Sequence, residues 1–165
     1  MRRKDREMPE TFAWKVAGKC EWATLGLMDP SGEPYAIPVS IACEDRHIYF
    51  HSAQSGFKIE CLRNHAQVCV SCVGDTHRLA DAFTTEFESA VLRGIAVEVT
   101  DRQEKIHALR LLCQRHTPTN MDHFDEAISH SLFRTAVWRI DIAEITGKRK
   151  KFDADGKEMK FGRME

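Results

Sequence analysis

Alternation along the chain is clear from Tyr35 to Cys43. Tyr35, Ile37, Val39, Ile41 and Cys43 fall on one face of an extended segment, and Ala36, Pro38, Ser40 and Ala42 on the other. The second face is built of small residues, which leaves room for something flat to lie against it. Pro38 cannot donate to a ladder and so marks a sheet edge or a bulge. Glu44-Asp45-Arg46 turns the chain into a second strand, His47–Ala53. Gln54 to Asn64 then carries Phe57, Cys61 and Leu62 at helical spacing.

The remaining pattern fills in around this unit. Residues 1–8 are polar and are expected to form an extended or frayed arm. Pro9 to Gly18 predicts a short helix, with proline near its start and glycine as its stop. Trp22 to Met28 reads as a strand closed by Asp29-Pro30-Ser31-Gly32. Gln67 to Val73 is a further strand, residues 74–85 lack a period and read as a loop, and Phe87 to Val99 is a long strand that Gly94 should bend. Asp101 with Glu104 forms a capping pair for a helix carrying Ile106, Leu109, Leu112 and Cys113. After Thr117-Pro118-Thr119-Asn120, Asp122 is placed to cap another helix bearing Phe124, Ala127, Ile128 and Leu132. Thr135 to Ile145 is the last strand, with Trp138, Ile140 and Ile142 opposite Arg139 and Asp141, and Asp153-Ala154-Asp155-Gly156 can turn a short hairpin.

About six strands, joined mainly by hairpins, with four helices between them, predict a mainly β fold: a closed or partly closed antiparallel barrel with peripheral helices. A doubly wound sheet is disfavoured because strands and helices do not alternate regularly. No repeat or linker divides the chain, so residues 1–165 are expected to form a single domain, with 149–165 a tail or short hairpin.

Composition narrows the function classes. The 165 residues are 42% hydrophobic and 30% charged, as in a soluble globular protein, and no apolar run approaches the roughly 20 residues of a membrane span. A formal net charge of −1 provides no global field for nucleic acid, and the basic clusters Arg2–Arg6 and Lys148–Lys151 read as solvated termini. The N-terminus lacks the apolar core of a signal peptide, so a cytoplasmic location is expected. Six cysteines (20, 43, 61, 69, 72 and 113) sit mostly in apolar segments, as reduced, buried thiols do.

The chemistry-bearing residues are few. Cys69-x-x-Cys72 lies on a strand, where positions three apart face opposite ways, and no second ligand pair accompanies it, so no metal site is expected. His116, His123 and His130 approach a repeat of seven that Pro118 breaks. No GxSxG, P-loop, HExxH or dinucleotide fingerprint is present, so an enzymatic reading needs a cofactor to supply reactivity. The one charge anomaly is Lys58, placed after Ser55-Gly56 in the first turn of a helix, where the dipole disfavours a cation. A bound anion reverses that sign, because backbone N–H groups and the ammonium then converge on it. His51, at the end of the preceding strand, is its natural companion.

These residues carry a resemblance. Met1-Arg2-Arg3-Lys4-Asp5-Arg6-Glu7, Ala23-Thr24-Leu25, Pro34-Tyr35-Ala36-Ile37-Pro38-Val39, Ile48-Tyr49-Phe50-His51-Ser52-Ala53, Gly56-Phe57-Lys58, Arg93-Gly94 and Ile145-Thr146-Gly147-Lys148 resemble the nitroimidazole-resistance flavoproteins, within the wider pyridoxamine 5′-phosphate-oxidase-like group. The resemblance implies an FMN-binding split barrel, with FAD as the alternative cofactor, that forms a homodimer with flavin at the subunit interface. It places Pro38, Val39, Ser40 and Ile41 along the flavin ring, and Phe50, His51, Ser52 and Lys58 at the phosphate side. It sets Trp138 where an aromatic of one subunit could reach the flavin of the other. Ser40 stands where asparagine is common, and Gly56-Phe57 replaces the arginines that a pyridoxamine-phosphate oxidase uses for its phosphates, which argues against that reaction. The implied activity is reduction of a small electron-poor molecule such as a nitroaromatic, with His51 the leading catalytic candidate. A non-catalytic flavin carrier or sensor, and a haem-handling protein on the same barrel, are the alternatives.

Overall fold

The computed structural model describes residues 2–162. Its strands are β1 (Glu7–Met8), β2 (Ala23–Met28), β3 (Pro34–Val39), β4 (Ala42–Glu44), β5 (His47–Ala53), β6 (Gln67–Leu79), β7 (Thr84–Glu98) and β8 (Thr135–Lys150). Its helices are α1 (Glu10–Lys19), α2 (Phe57–Asn64), α3 (Arg102–His116) and α4 (Phe124–Ser131). All strand pairs are antiparallel, in the order β3-β2-β6-β7-β8-β5-β4, with β1 added to β8. The two ends of that order, β3 and β4, are joined by Ser40 and Ile41 alone. The sheet therefore curls into a barrel whose closing seam is covalent, the long Tyr35–Cys43 strand being broken at that point. The fold is the split barrel with peripheral helices that the pattern predicted.

Inward residues from every long strand fill the barrel, among them Leu25, Val39, Ile41, Ile48, Phe50, Val70, Leu92, Trp138 and Ile140. A second cluster lies outside it, where α3 and α4 lay Ala108, Leu109, Leu112 and Phe124 over Ala42, Tyr49, Val99 and Val137. Strand β5 is thus covered on both faces, which is why Ile48-Tyr49-Phe50 is apolar without a break. Gly94 sits at a register shift in the β7–β8 ladder, as its position in the sequence predicted. A Cβ there would stand 2.2 Å from the Asp141 carbonyl oxygen, so only glycine fits.

Three expectations are corrected. Residues 74–85 are not a loop: β6 continues to Leu79 and β7 begins at Thr84, with His77 opposite Glu86. This end of the hairpin is largely exposed on both faces, so it shows no hydrophobic period and is held by its ladder instead. Asp122 caps nothing. It lies inside a 3-10 segment, Pro118–His123, that runs directly into α4. The N-terminal arm is not frayed: Lys4–Arg6 form a 3-10 turn and Glu7–Met8 pair with Lys148 and Gly147. Its basic residues are paired as well, Arg6 with Glu158 at 2.6 Å and Arg3 with Asp5 at 2.6 Å. The Asp153 turn forms as expected, its carboxylate accepting the Asp155 and Lys157 N–H groups; residues 1 and 163–165 lie outside the described residues.

Candidate functional site

The seam and the end of β5 meet at one place on the barrel wall, α3 and α4 roof the space beside it, and the start of α2 brings Lys58 near Phe50 and His51. A cavity of ≈ 300 Å³ opens there. Ser40 from the seam and His51 from β5 line one side, Leu109, Leu112, Phe124 and Ile128 the other. Among the described lining residues there is no carboxylate, and the apolar wall suits a flat, uncharged aromatic molecule.

Helix α2 starts at Gly56, whose φ of 121° is a left-handed conformation that a side chain would strain. No side chain caps this start, so its first N–H groups remain available to an outside acceptor. Lys58 projects from the first turn, half-buried, with its ammonium 5.8 Å from the centre of the Phe50 ring. Among the described residues it forms no ion pair, and burial lowers its pKa from the ordinary lysine value. His51, exposed overall but lining the cavity with its ring, is also lowered, first by desolvation and then by the charges of Lys58 and His116. It is therefore neutral at pH 7, and it lies within the electrostatic reach of both.

The other sequence-predicted residues divide by direction. Pro38 is exposed on edge strand β3, opposite Thr24, and Ser40 is exposed in the seam. Val39 and Ile41 point into the barrel, so only their backbone can face a ligand. Phe50 and Trp138 face each other across β5 and β8 inside the core, at 0% and 3% exposure. The Trp138 indole is therefore packed within its own barrel, and its N–H has no hydrogen-bond partner among the described residues. Ser52 spends its hydroxyl on the Ala53 carbonyl at 2.9 Å. Ser40 and His51 thus line one cavity, Lys58 lies within electrostatic reach of His51, and the side chains of Phe50 and Trp138 lie in the core.

Sequence reasoning missed the roof. His116 and His123 line the same cavity, because the 3-10 segment after Pro118 folds the chain back where a broken helical repeat was read. His130 does not line it. The described residues contain no cluster of three or more histidines, cysteines and carboxylates able to hold a metal, and all six cysteines are free.

The small side chain of Ser40 at the seam, a lysine at a glycine-opened helix start with no ion pair among the described residues, and an apolar cavity beside Ser40 and His51 fit a flavin phosphate and ring. The family model for pyridoxamine 5′-phosphate oxidase matches residues 12–149. No curated protein matches the chain. Among solved structures, a candidate 5-nitroimidazole antibiotic resistance protein from Bacteroides thetaiotaomicron is 25% identical, with a TM-score of 0.73 over 87% of this chain and 86% of its own. An FAD and haem binding protein from Mycobacterium smegmatis (17% identity, TM-score 0.75, 96% and 84% covered) and an FAD-binding protein from Mesorhizobium loti (23%, 0.64, 88% and 98%) share the fold. The chain belongs to the pyridoxamine 5′-phosphate oxidase family.

Proposed function

We propose that this protein is an FMN-dependent oxidoreductase that reduces small electron-poor compounds such as nitroaromatics. The observation that carries the reading is Lys58: a half-buried cation without an acidic partner among the described residues, within electrostatic reach of His51, which lines the cavity. When bound, the flavin supplies hydride or electron transfer. Lys58 and the α2 N–H groups hold its phosphate. The seam backbone and Ser40 flank the ring, and His51, uncharged, offers a hydrogen bond at the cavity. Leu109, Leu112 and Phe124 exclude water from the space in which an aromatic acceptor lies.

The protein acts as a homodimer with flavin at the subunit interface. Val91, Ile95 and Val97 form an exposed apolar stripe along the outer face of β7, with Val73 beside it on β6, and a second copy would cover that stripe. Six free thiols suit a reducing, cytoplasmic setting, and no helix among the described residues is long and apolar enough to cross a membrane.

The visible spectrum of the purified protein, followed by mass identification of the released cofactor, tests the reading. Flavin bands with released FMN, and turnover with a reductant and a nitroaromatic, are expected. Bound flavin without turnover favours a carrier. A Soret band would favour the haem reading, for which His116 and His123 at the cavity and the M. smegmatis neighbour speak. A protein that takes up neither cofactor refutes the proposal.

A further inference from the structure

At Ile41 the chain has left β3 and has not yet entered β4, so its carbonyl lies outside both named strands in a fully buried setting. A buried carbonyl needs a donor, and this one has two, both from the last turn of α3. Arg115 Nη1 donates to it at 2.7 Å and His116 Nε2 at 2.9 Å. The second arm of the same guanidinium, Nη2, donates at 2.6 Å to the carbonyl of Cys20, the residue that ends α1 and leads into β2. One side chain therefore ties three separate segments together: the seam, the α1–β2 junction and the roof of the cavity. It also lies against thiols. Nη2 is 3.7 Å from Cys20 Sγ, and the hydrogen bond with Cys72, then Arg115, draws the Cys20 thiol below its ordinary value while raising Cys72.

We infer that Arg115 and His116 are positioning residues: a clamp that sets the backbone of the Ser40–Ile41 seam, and hence the surface offered to the flavin. The inference rests on the flavin reading given above and deepens it. Arg115 does not line the cavity and acts on it only through the seam, whereas His116 lines it as well. Their effect passes through Ile41, whose neighbour Ser40 lines the cavity. The geometry demands arginine, because two divergent donors in a rigid plane reach two carbonyls at once, whereas the single ammonium of lysine reaches one. Histidine at 116 completes the pair by donating through Nε2 to the same carbonyl.

The test uses the full-length protein with Arg115→Lys, Arg115→Ala and His116→Phe. Amide hydrogen exchange of residues 39–43, measured without flavin, reads the seam; FMN titration reads the site. Loss of a charge-assisted bond to a buried carbonyl should raise both the seam exchange rate and the FMN dissociation constant about ten-fold in Arg115→Lys. Millimolar guanidinium ion should restore both toward wild type in Arg115→Ala, which a general loss of packing would not allow. If Arg115→Ala does not fold, the lysine and His116→Phe variants carry the comparison. Unchanged seam exchange in Arg115→Lys overturns the clamp. Faster exchange with unchanged FMN affinity also overturns it, since the seam would then have no bearing on the cofactor. A wild-type protein that binds no flavin refutes the functional reading instead; the flavin-free exchange data then decide the clamp alone.

Discussion

Lys58 carries its ammonium 5.8 Å from the centre of the Phe50 ring, and among the described residues no carboxylate pairs with it. A cation kept in that state has a weak aromatic partner and a desolvation cost, and a phosphate would supply what is missing. At about 4 Å and an effective dielectric near 20, one such charge pair gains roughly 4 kcal/mol before desolvation. Lys58→Ala should therefore weaken FMN binding by about ten-fold or more while leaving the unfolding midpoint nearly unchanged. Lys148→Gln, near the C-terminal end of β8 beside Phe87, should bind FMN as wild type does. Equal affinity in the two variants would remove Lys58 from the site.

His51 should titrate below the ordinary histidine value of 6.5. The sign follows from the lowered pKa: between the two values the unfolded chain holds the proton and the fold does not, so stability falls as pH drops through about 6.5. NMR of the ring should show a midpoint that rises in Lys58→Met, because the Lys58 charge is the second cause of the shift. A midpoint at or above 6.5 would contradict the desolvated placement of the ring.

Gly94→Ala forces a Cβ to 2.2 Å from the Asp141 carbonyl, at the β7–β8 register shift. The ladder must spread to admit it, at a cost of about 3 kcal/mol or more, which corresponds to a fall in Tm of roughly 10 °C. Gly18→Ala is the opposite case. Position 18 is in the last turn of α1 with open space around it, so the substitution should raise stability by about 0.5–1 kcal/mol. Calorimetry of both proteins separates crowding from a general intolerance of glycine replacement.

Asp101 accepts the Gln103 N–H at 3.0 Å and the Glu104 N–H at 2.8 Å at the start of α3. Asp101→Ala should cost about 1 kcal/mol in urea unfolding, with faster amide exchange confined to the first turn of that helix. Asp101→Asn should recover most of the loss. Asp122→Ala should cost nothing comparable, since Asp122 caps no helix.

Much of the barrel was legible because its signals are local. Alternation marked β3, the Glu44-Asp45-Arg46 turn marked β5, the Asp101 cap marked α3, and Gly94 marked the bulge. The far end of the β6–β7 hairpin escaped because residues such as Thr76, His77 and Arg78 have no buried face to set a period. The site divides the same way. Ser40, His51 and Lys58 could be picked out because a strand end and a helix start lie close together in the chain. Arg115 could not, because its partner Ile41 is 74 residues away and nothing about an arginine near a helix end announces a buried carbonyl. The inward direction of Phe50 and Trp138 follows from strand parity, but which side of β8 faces the core is settled only once β5 pairs with it.

The covalent seam also bears on the order of folding. Hairpins β2–β3 and β4–β5 need only short loops, so each can form early on its own side of Ser40–Ile41. The ring cannot close until β5 finds β8, a pairing that brings His47 against Asp141 across most of the chain. Substitutions within the two early hairpins should therefore slow refolding, whereas those that weaken the pairing made last should chiefly speed unfolding. The strand that faces the cavity would then take its final shape only when the last stave is in place, so a partly folded chain would have no formed cofactor site.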